Sequence, residues 1–456
     1  MNNSKIPRDV DVQALLDAGP VGSLQRRAIL FCGMVALLDG FDTQMIGVLA
    51  PSMGSALGIE LARFGPIFSA ALFGYMVGAL VIGSLADRYG RKSCMLVSVL
   101  IFGVFTFSTA YATSFGQLLL LRFLAGLGLG GASPCFLALT TEYAPLKYRA
   151  LFVSLLWASF PLGGVVGGFA SAALIPAWGW ESMFYVGGVI PLVLLFFMAP
   201  FMPESLRFLA IRDSHGARTR KVLVTLQPSL REVDYRIVGH DEASQGSSIG
   251  MLFSGAMALR TLLLWGAFFC TFCVLIAVGS WAPALLRNLG MPISKAAVVL
   301  AVYNIGGALG TVALGRLIDK FGAPRLLIAA FIVGALCLAP LGYAGESFGL
   351  LLCLIGAVGF SMSGAGGGLV VLAATLYPVA SRGTGIGWAL GIGRLGSVAG
   401  PLVGGLLLQQ QWSMGELFLA LCIPTLLAAC FIGALVLARG FGRDEQPLPD
   451  MAAETA

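Results

Sequence analysis

Twelve stretches of about 20 consecutive apolar residues run through this 456-residue chain. That is the length at which a helix crosses the hydrocarbon of a bilayer. Their approximate bounds are 26–50, 64–86, 93–113, 116–141, 150–174, 182–200, 257–280, 293–316, 325–345, 347–373, 383–408 and 414–438. In lipid every backbone N–H and C=O has to be satisfied internally, which leaves helices or closed barrels. Barrel strands would read as segments of about ten residues with alternating polarity, and no such alternation runs through these segments. The expected fold is therefore an all-α membrane protein whose solvent is the lipid bilayer. Composition agrees: 58% of residues are hydrophobic and 11% charged, against roughly 25% charged in a soluble domain.

The first 25 residues are polar and include Asp9, Asp11 and Asp17. They lack the basic start and small-residue cleavage site of a signal peptide, so the first span is expected to be retained as its own targeting signal. With both termini on one side, 23 Lys and Arg fall on that side; only Arg63, Arg287 and Lys295 fall opposite, and Arg122 and Arg394 lie inside spans. Basic loops mark the cytoplasmic face, so both termini are expected there. This distribution accounts for the net charge of +6, and no nucleic-acid partner is needed. His215 and His240 are the only histidines, and the nine cysteines lie mostly inside spans, including the one C-x-x-C pair, Cys270 and Cys273 in span 7. They read as small buried residues, with neither a metal nor any other cofactor.

A polar segment, 203–256, separates six spans from six and reads as a solvated cytoplasmic linker with short surface helices. The expected parts are a cytoplasmic N-terminal segment (1–25), a six-helix bundle (26–202), the linker (203–256), a second bundle (257–438) and a cytoplasmic tail (439–456). The halves repeat each other. Gly83-Ser-Leu-Ala-Asp87-Arg88-Tyr89-Gly90-Arg91-Lys92 follows span 2, and Gly315-Arg-Leu-Ile-Asp319-Lys320-Phe321-Gly322 follows span 8. Glu142-Tyr143-Ala-Pro145 with Arg149 is echoed by Tyr377-Pro378 with Arg382, and Pro161-Leu-Gly-Gly by Pro401-Leu-Val-Gly-Gly. Two parallel six-helix repeats around a central site is the architecture of major facilitator transporters, and the acid–base–aromatic–glycine loops match the signature of that superfamily. Asp87 is placed to meet a helix N-terminus in the opposite half, where partial positive charge accumulates. Arg88, Glu142 and Arg149 would complete that cluster, with Asp319 and Arg382 as its echo, together forming a latch on the inner gate. Topology-setting charge alone would explain the bases but not Asp87 and Asp319.

Ionisable groups deep in a span are expensive and point to function. Four stand out: Asp39, Asp42, Arg122 and Arg394. Asp39 and Asp42 lie at i and i+3, on one face of span 1. Asp42 and Arg122 lie at matching depths, which predicts an interaction between spans 1 and 4. A structural ion pair is the alternative, though it leaves Asp39 unexplained. Both histidines lie in the linker, so carboxylates have to carry any protons that cross. Arg394, near the middle of span 11, suits a planar carboxylate held by two parallel hydrogen bonds; a permanent pair with Asp39 is the alternative. Two aspartates and two arginines cancel, so one monoanionic substrate and one proton restore neutrality. Phe268, Phe269, Phe272, Tyr303, Asn304 and Trp388 lie at similar depth and would wall a site for ring-shaped substrates.

Leu38-Asp39-Gly40-Phe41-Asp42-Thr43 resembles the Asp-Gly-x-Asp motif of the aromatic acid:proton symporter family, which includes 4-hydroxybenzoate/protocatechuate and benzoate transporters. Similar, too, are Leu121-Arg122-Phe123-Leu124-Ala125-Gly126, Pro203-Glu204-Ser205-Leu206-Arg207 and Gly391-Ile392-Gly393-Arg394. The resemblance implies uptake of small aromatic carboxylates across a bacterial inner membrane, driven by protons. It assigns proton coupling to Asp39 and Asp42, substrate binding or transport to Arg122 and Arg394, and gating to Asp87, Glu142, Asp319 and Arg382. A proton-coupled exporter on the same fold and a membrane receptor for aromatic acids are the competing readings. Arg394 argues against an exporter of cations, and no appended signalling domain supports a receptor. No nucleophile–base pair or metal cluster suggests an enzyme. One chain holds both halves, so a monomer is expected to suffice.

Overall fold

The computed structural model describes residues 8–10, 12–17, 21–212, 217–226, 235–237, 249–344, 347–378 and 381–440; the expected C-terminal tail and the side chain of Asp319 lie outside the described residues. Twelve helices are long and apolar enough to cross a membrane. They are α1 (Ser23–Leu57), α2 (Phe64–Tyr89), α3 (Arg91–Thr109), α4 (Phe115–Tyr143), α5 (Arg149–Trp178), α6 (Glu181–Phe201), α7 (Ala256–Asn288), α8 (Ile293–Phe321), α9 (Ala323–Leu341), α10 (Phe348–Leu376), α11 (Arg382–Gln409) and α12 (Met414–Gly440). Several outrun their apolar windows. Helix ends extend into the polar interface, where the hydropathy signal stops but backbone hydrogen bonding continues. The linker carries two short helices, Leu206–Arg212 and Ala217–Leu226, and a strand, Tyr235–Ile237, that pairs in parallel with Arg8–Val10. That strand pair ties the N-terminal segment to the linker, and a three-residue strand is too short to show a period in sequence.

The internal repeat is visible in how glycines seat the helices. A Cβ on Gly40 would overlap the Phe160 backbone, and one on Gly163 the Leu37 carbonyl, so α1 and α5 pack backbone to backbone. Gly396 and Gly400 bring α11 equally close to Phe269 and Cys273 of α7. Likewise Gly74, Gly78, Gly126 and Gly130 knit α2 to α4, as Gly306, Gly310 and Gly359 knit α8 to α10. Without a hydrophobic drive between helices in lipid, such close approach supplies much of the packing energy. Gly126→Ala puts a methyl into the Ala71 backbone; overpacking of this kind costs about 1–3 kcal/mol. The purified variant is expected to melt several degrees lower than the parent, and an unchanged melting temperature would show that α2 and α4 have room to part.

Gly90 and Gly322 close the two echoed loops with φ of 94° and 83°, the left-handed side that glycine enters without a Cβ penalty. This explains the glycine in each motif: the chain turns sharply from α2 into α3 and from α8 into α9.

Contacts between the two bundles concentrate in the half of the molecule away from the termini. Gly47 of α1 abuts the Ser280 carbonyl of α7, Gly65 of α2 abuts Pro401 and Gly405 of α11, and Gly168 of α5 abuts Ala297 of α8. The Ser69 hydroxyl donates to the Val398 carbonyl at 2.7 Å, and Phe68 packs edge-on against Trp281 at 5.2 Å. The bundles are closed together at that end, and among the described residues no comparable contact joins them toward the end that carries the termini.

Candidate functional site

Helix α1 brings both of its aspartates into the protein interior: Asp39 is 4% and Asp42 2% exposed. Arg122 of α4, 1% exposed, donates from Nη1 to both Asp42 oxygens at 3.1 Å. The contact expected from their matching depths is thus present. Its surroundings answer the cost of burying two charges. Nη2 of Arg122 donates to the Thr106 and Thr109 hydroxyls of α3 at 3.3 and 3.0 Å. Thr106 donates in turn to Asp42 Oδ1 at 3.1 Å, and the guanidinium lies 4.9 Å from the centre of the Phe184 ring. These threonines carried no charge to mark them, and the sequence reading did not single them out. A small cavity against the pair, bordered by Thr43, Phe68, Ile276 and Ser280, has room for about one water molecule. An aromatic acid does not fit there in this conformation.

Asp39 belongs to a second cluster, which spans the two bundles. Thr43 donates to its Oδ1 at 3.2 Å. Arg394, half-buried near the middle of α11, donates from Nη2 to the Tyr75 hydroxyl of α2 at 3.2 Å. Its guanidinium stands 4.2 Å from the centre of the same ring. The Tyr75 hydroxyl also lies beside Asp39, so Asp39, Tyr75 and Arg394 form one electrostatic group. Among the described residues Arg394 and Asp39 form no direct ion pair, and Tyr75 stands beside both. Tyr75 was not foreseen, since one aromatic in an apolar helix looks like any packing residue.

The residues expected to wall the site divide. Trp388, 44% exposed, stacks on Trp265 of α7 at 5.9 Å and 18°. Phe269 is half-buried, and Phe272 stacks on buried Phe268 at 6.2 Å. Tyr303 and Asn304 are each 4% exposed, and their polar groups are engaged within the protein. The Tyr303 hydroxyl donates to the Leu275 carbonyl at 2.8 Å. Asn304 exchanges two hydrogen bonds with Gln44 of α1, at 2.7 and 2.8 Å, and donates to the Leu300 carbonyl. This amide pair joins the bundles at the closed end. Gln44 was missed because the sequence search looked for charges.

At the other end the charged loops are arranged within the first bundle. Asp87, with its side chain 81% exposed, lies 3.7 Å from Arg91 rather than against the opposite half. Arg91 pairs with Glu142, and the Arg88 guanidinium lies over Tyr89. Arg149 is half-buried and Arg382 exposed. Glu204 accepts from the Lys92 and Ser205 backbone N–H groups at 2.9 Å, a carboxylate at the start of α3 where helix partial charge is positive. Tyr143 fixes it by donating to the Glu204 carbonyl at 2.6 Å.

Comparison with known proteins gives a consistent picture. The family described as "Sugar (and other) transporter" matches residues 31–437. The 4-hydroxybenzoate transporter of Pseudomonas aeruginosa is 37% identical over 96% of this chain and 98% of its own length. The gallate transporter of Pseudomonas putida is 36% identical over 95% and 96%, and the benzoate transport protein of Acinetobacter baylyi 32% identical over 92% and 91%. In fold, the chain is similar to the xylose transporter of E. coli, with a TM-score of 0.70 at 18% identity, covering 91% of this chain and 98% of that one.

Proposed function

The chain belongs to the sugar-and-other-transporter family of the major facilitator superfamily, and from that premise we propose that it imports small aromatic carboxylates together with protons by alternating access. It is a multi-pass inner-membrane transporter and not an enzyme. In this reading 26–202 and 257–438 are the halves that rock against each other, 203–256 is the cytoplasmic linker, and 1–25 and 439–456 are cytoplasmic ends. With the termini cytoplasmic, as the basic loops imply, the structure is the inward-facing state and its closed end faces outward.

The observation that carries the proposal is the pair of buried charge clusters on one helix face. Asp42–Arg122 lies within the first bundle, whereas Asp39–Tyr75–Arg394 spans both. Arg394, half-buried and belonging to the opposite bundle from Asp39, is the group placed to take a substrate carboxylate. Its planar fork matches a carboxylate's two oxygens. The stacked Trp265 and Trp388 offer a π-face for an aromatic ring. Asp39 and Asp42 are the proton-coupling carboxylates. In the outward-facing state Asp87, Glu142, Asp319 and Arg382 close the cytoplasmic gate, with Arg91 holding Glu142 in place. One chain contains the whole pathway, so the monomer is the transporting unit.

The test is uptake into proteoliposomes under an imposed pH gradient, with labelled benzoate, hydroxybenzoates, protocatechuate, gentisate, an aliphatic acid and a cationic dye. Aromatic acids are expected to accumulate and to leak out when a protonophore collapses the gradient. Exchange of the dye against protons, with no acid moving, would replace the importer with an exporter.

A further inference from the structure

We propose that Tyr75 is the positioning residue that ties the anion site to the proton site, its hydroxyl passing on to Asp39 whether Arg394 is occupied. The inference rests on the roles just proposed for Asp39 and Arg394.

Tyr75 moves with the first bundle. Its neighbours Gly74 and Gly78 seat α2 on the α4 backbone, and Gly130 of α4 packs directly on the Tyr75 main chain. Arg394 moves with the second. The Tyr75–Arg394 contact therefore crosses the surface along which the bundles part, while the Tyr75–Asp39 contact stays within one bundle. The ring alone would satisfy the cation–π contact at 4.2 Å. The hydroxyl does more: it accepts from Arg394 Nη2 at 3.2 Å and lies beside the Asp39 carboxylate, with Ser133 of α4 as its other polar neighbour. With the residue 6% exposed, loss of the Arg394 contact leaves these two as its partners, a change that favours rearrangement.

The charged and titratable groups facing Asp39 are Arg394, Tyr75 and Asp42; α5, which packs on Gly40 through the Phe160 backbone, meets it there with main chain. Asp42 is already held by Arg122. A substrate carboxylate arriving at Arg394 takes the Nη2 proton that Tyr75 now accepts. The Tyr75 hydroxyl is left with Asp39 and Ser133 as its neighbours, and the group has gained one negative charge. Asp39 restores neutrality by taking one proton from the water on the side to which the cavity is open. No other bond forms or breaks.

The experiment compares two modes in proteoliposomes, using labelled 4-hydroxybenzoate or the panel acid that the unmodified protein accumulates best. Exchange of external for internal acid needs no net proton movement, whereas concentrative uptake under a pH gradient does. Tyr75→Phe keeps the ring and its stacking and deletes only the hydroxyl. It is expected to lower concentrative uptake by about tenfold or more, as for one lost hydrogen bond to a charged group, and to lower exchange by clearly less than that. The dependence of its exchange KM on pH should flatten. Uptake at the parental level, or exchange and uptake falling together, overturns the proposal, the second outcome marking Tyr75 as packing only. Fluorinated tyrosine at position 75 retains shape and hydroxyl but changes its acidity. It is expected to shift the pH midpoint of uptake, and an unmoved midpoint likewise counts against the proposal should the phenylalanine variant not fold. Failure of the unmodified protein to accumulate any aromatic acid against a gradient overturns the functional reading itself. That failure appears in the parent arm, whereas failure of the Tyr75 proposal appears only in the variant arm.

Discussion

Asp42→Asn is expected to reach the membrane intact yet lose proton-driven accumulation of aromatic acids by about a hundredfold or more, the scale of a few kcal/mol at about 1.4 kcal/mol per tenfold. Asparagine fits the space of the carboxylate and still offers Arg122 one acceptor oxygen, but it cannot take up and release a proton. Thr106 and Thr109 continue to hold the other arm of the guanidinium. These contacts soften the cost of leaving a buried cation without its counter-ion, which otherwise runs to about 3–5 kcal/mol. Uptake in proteoliposomes, with the amount and melting temperature of the inserted protein measured alongside, separates the two effects. Accumulation at the parental level would remove Asp42 from the proton pathway and leave it a structural partner of Arg122. Combining Asp42→Asn with Arg122→Leu sharpens the distinction. Removing both charges should recover stability, because no uncompensated charge is left buried, but it should not recover accumulation. If the double variant transports against a gradient, the ion pair holds the bundle together and protons cross elsewhere.

The parts of the molecule that could be read from sequence are those whose physics acts over one helix. Bilayer thickness sets the length of every apolar segment, so all twelve spans stood out, and the cost of a charge in lipid singled out Asp39, Asp42, Arg122 and Arg394. Counting residues to the membrane surface gave Asp42 and Arg122 the same depth, and they meet at 3.1 Å. What stayed hidden depends on neutral groups brought together from distant segments. Gln44 and Asn304 are 260 positions apart, and nothing about a lone amide on either helix specifies the other. Asn304 was read as a wall of the site, and its amide instead joins the two bundles. Tyr75 carries no signal that separates it from an aromatic in lipid contact. The latch shows a third kind of limit. Its residue types were legible, but Arg91, one of several adjacent bases and not singled out, is the one that reaches Glu142, because the first turn of a helix fixes which of them points inward. Asp87 lies away from the opposite half, at the end where the bundles are not closed together, and a sequence does not state which conformation a structure will capture.

Arg394→Lys separates charge from geometry at the proposed anion site, and its effect should fall on affinity. Lysine keeps the positive charge and so preserves the balance among two acids and two bases. It loses the planar fork, the guanidinium face over Tyr75 at 4.2 Å, and the rigid placement of Nη2 against the hydroxyl. A carboxylate then binds through one hydrogen bond where two were available. A hydrogen bond to a charged group contributes about 1.5–3 kcal/mol, so KM for an aromatic acid should rise by about ten- to a hundredfold, while accumulation at saturating acid stays sensitive to a protonophore. Benzamide, which shares the ring but has no carboxylate, serves as competitor. Its inhibition constant should move little between parent and variant if Arg394 reads the carboxylate, because the ring contacts at Trp265 and Trp388 are untouched. An unchanged KM for the acid would place the carboxylate on another group, and Arg122, the other buried guanidinium, would be first in line. It is already engaged by Asp42, Thr106 and Thr109. Substrate binding there would have to displace the Asp42 carboxylate, so protonating Asp42 would release Arg122 and raise affinity for the acid on acidification. That rise would vanish in Asp42→Asn, whereas a substrate held at Arg394 beside Asp39 keeps a pH-dependent affinity in the same variant.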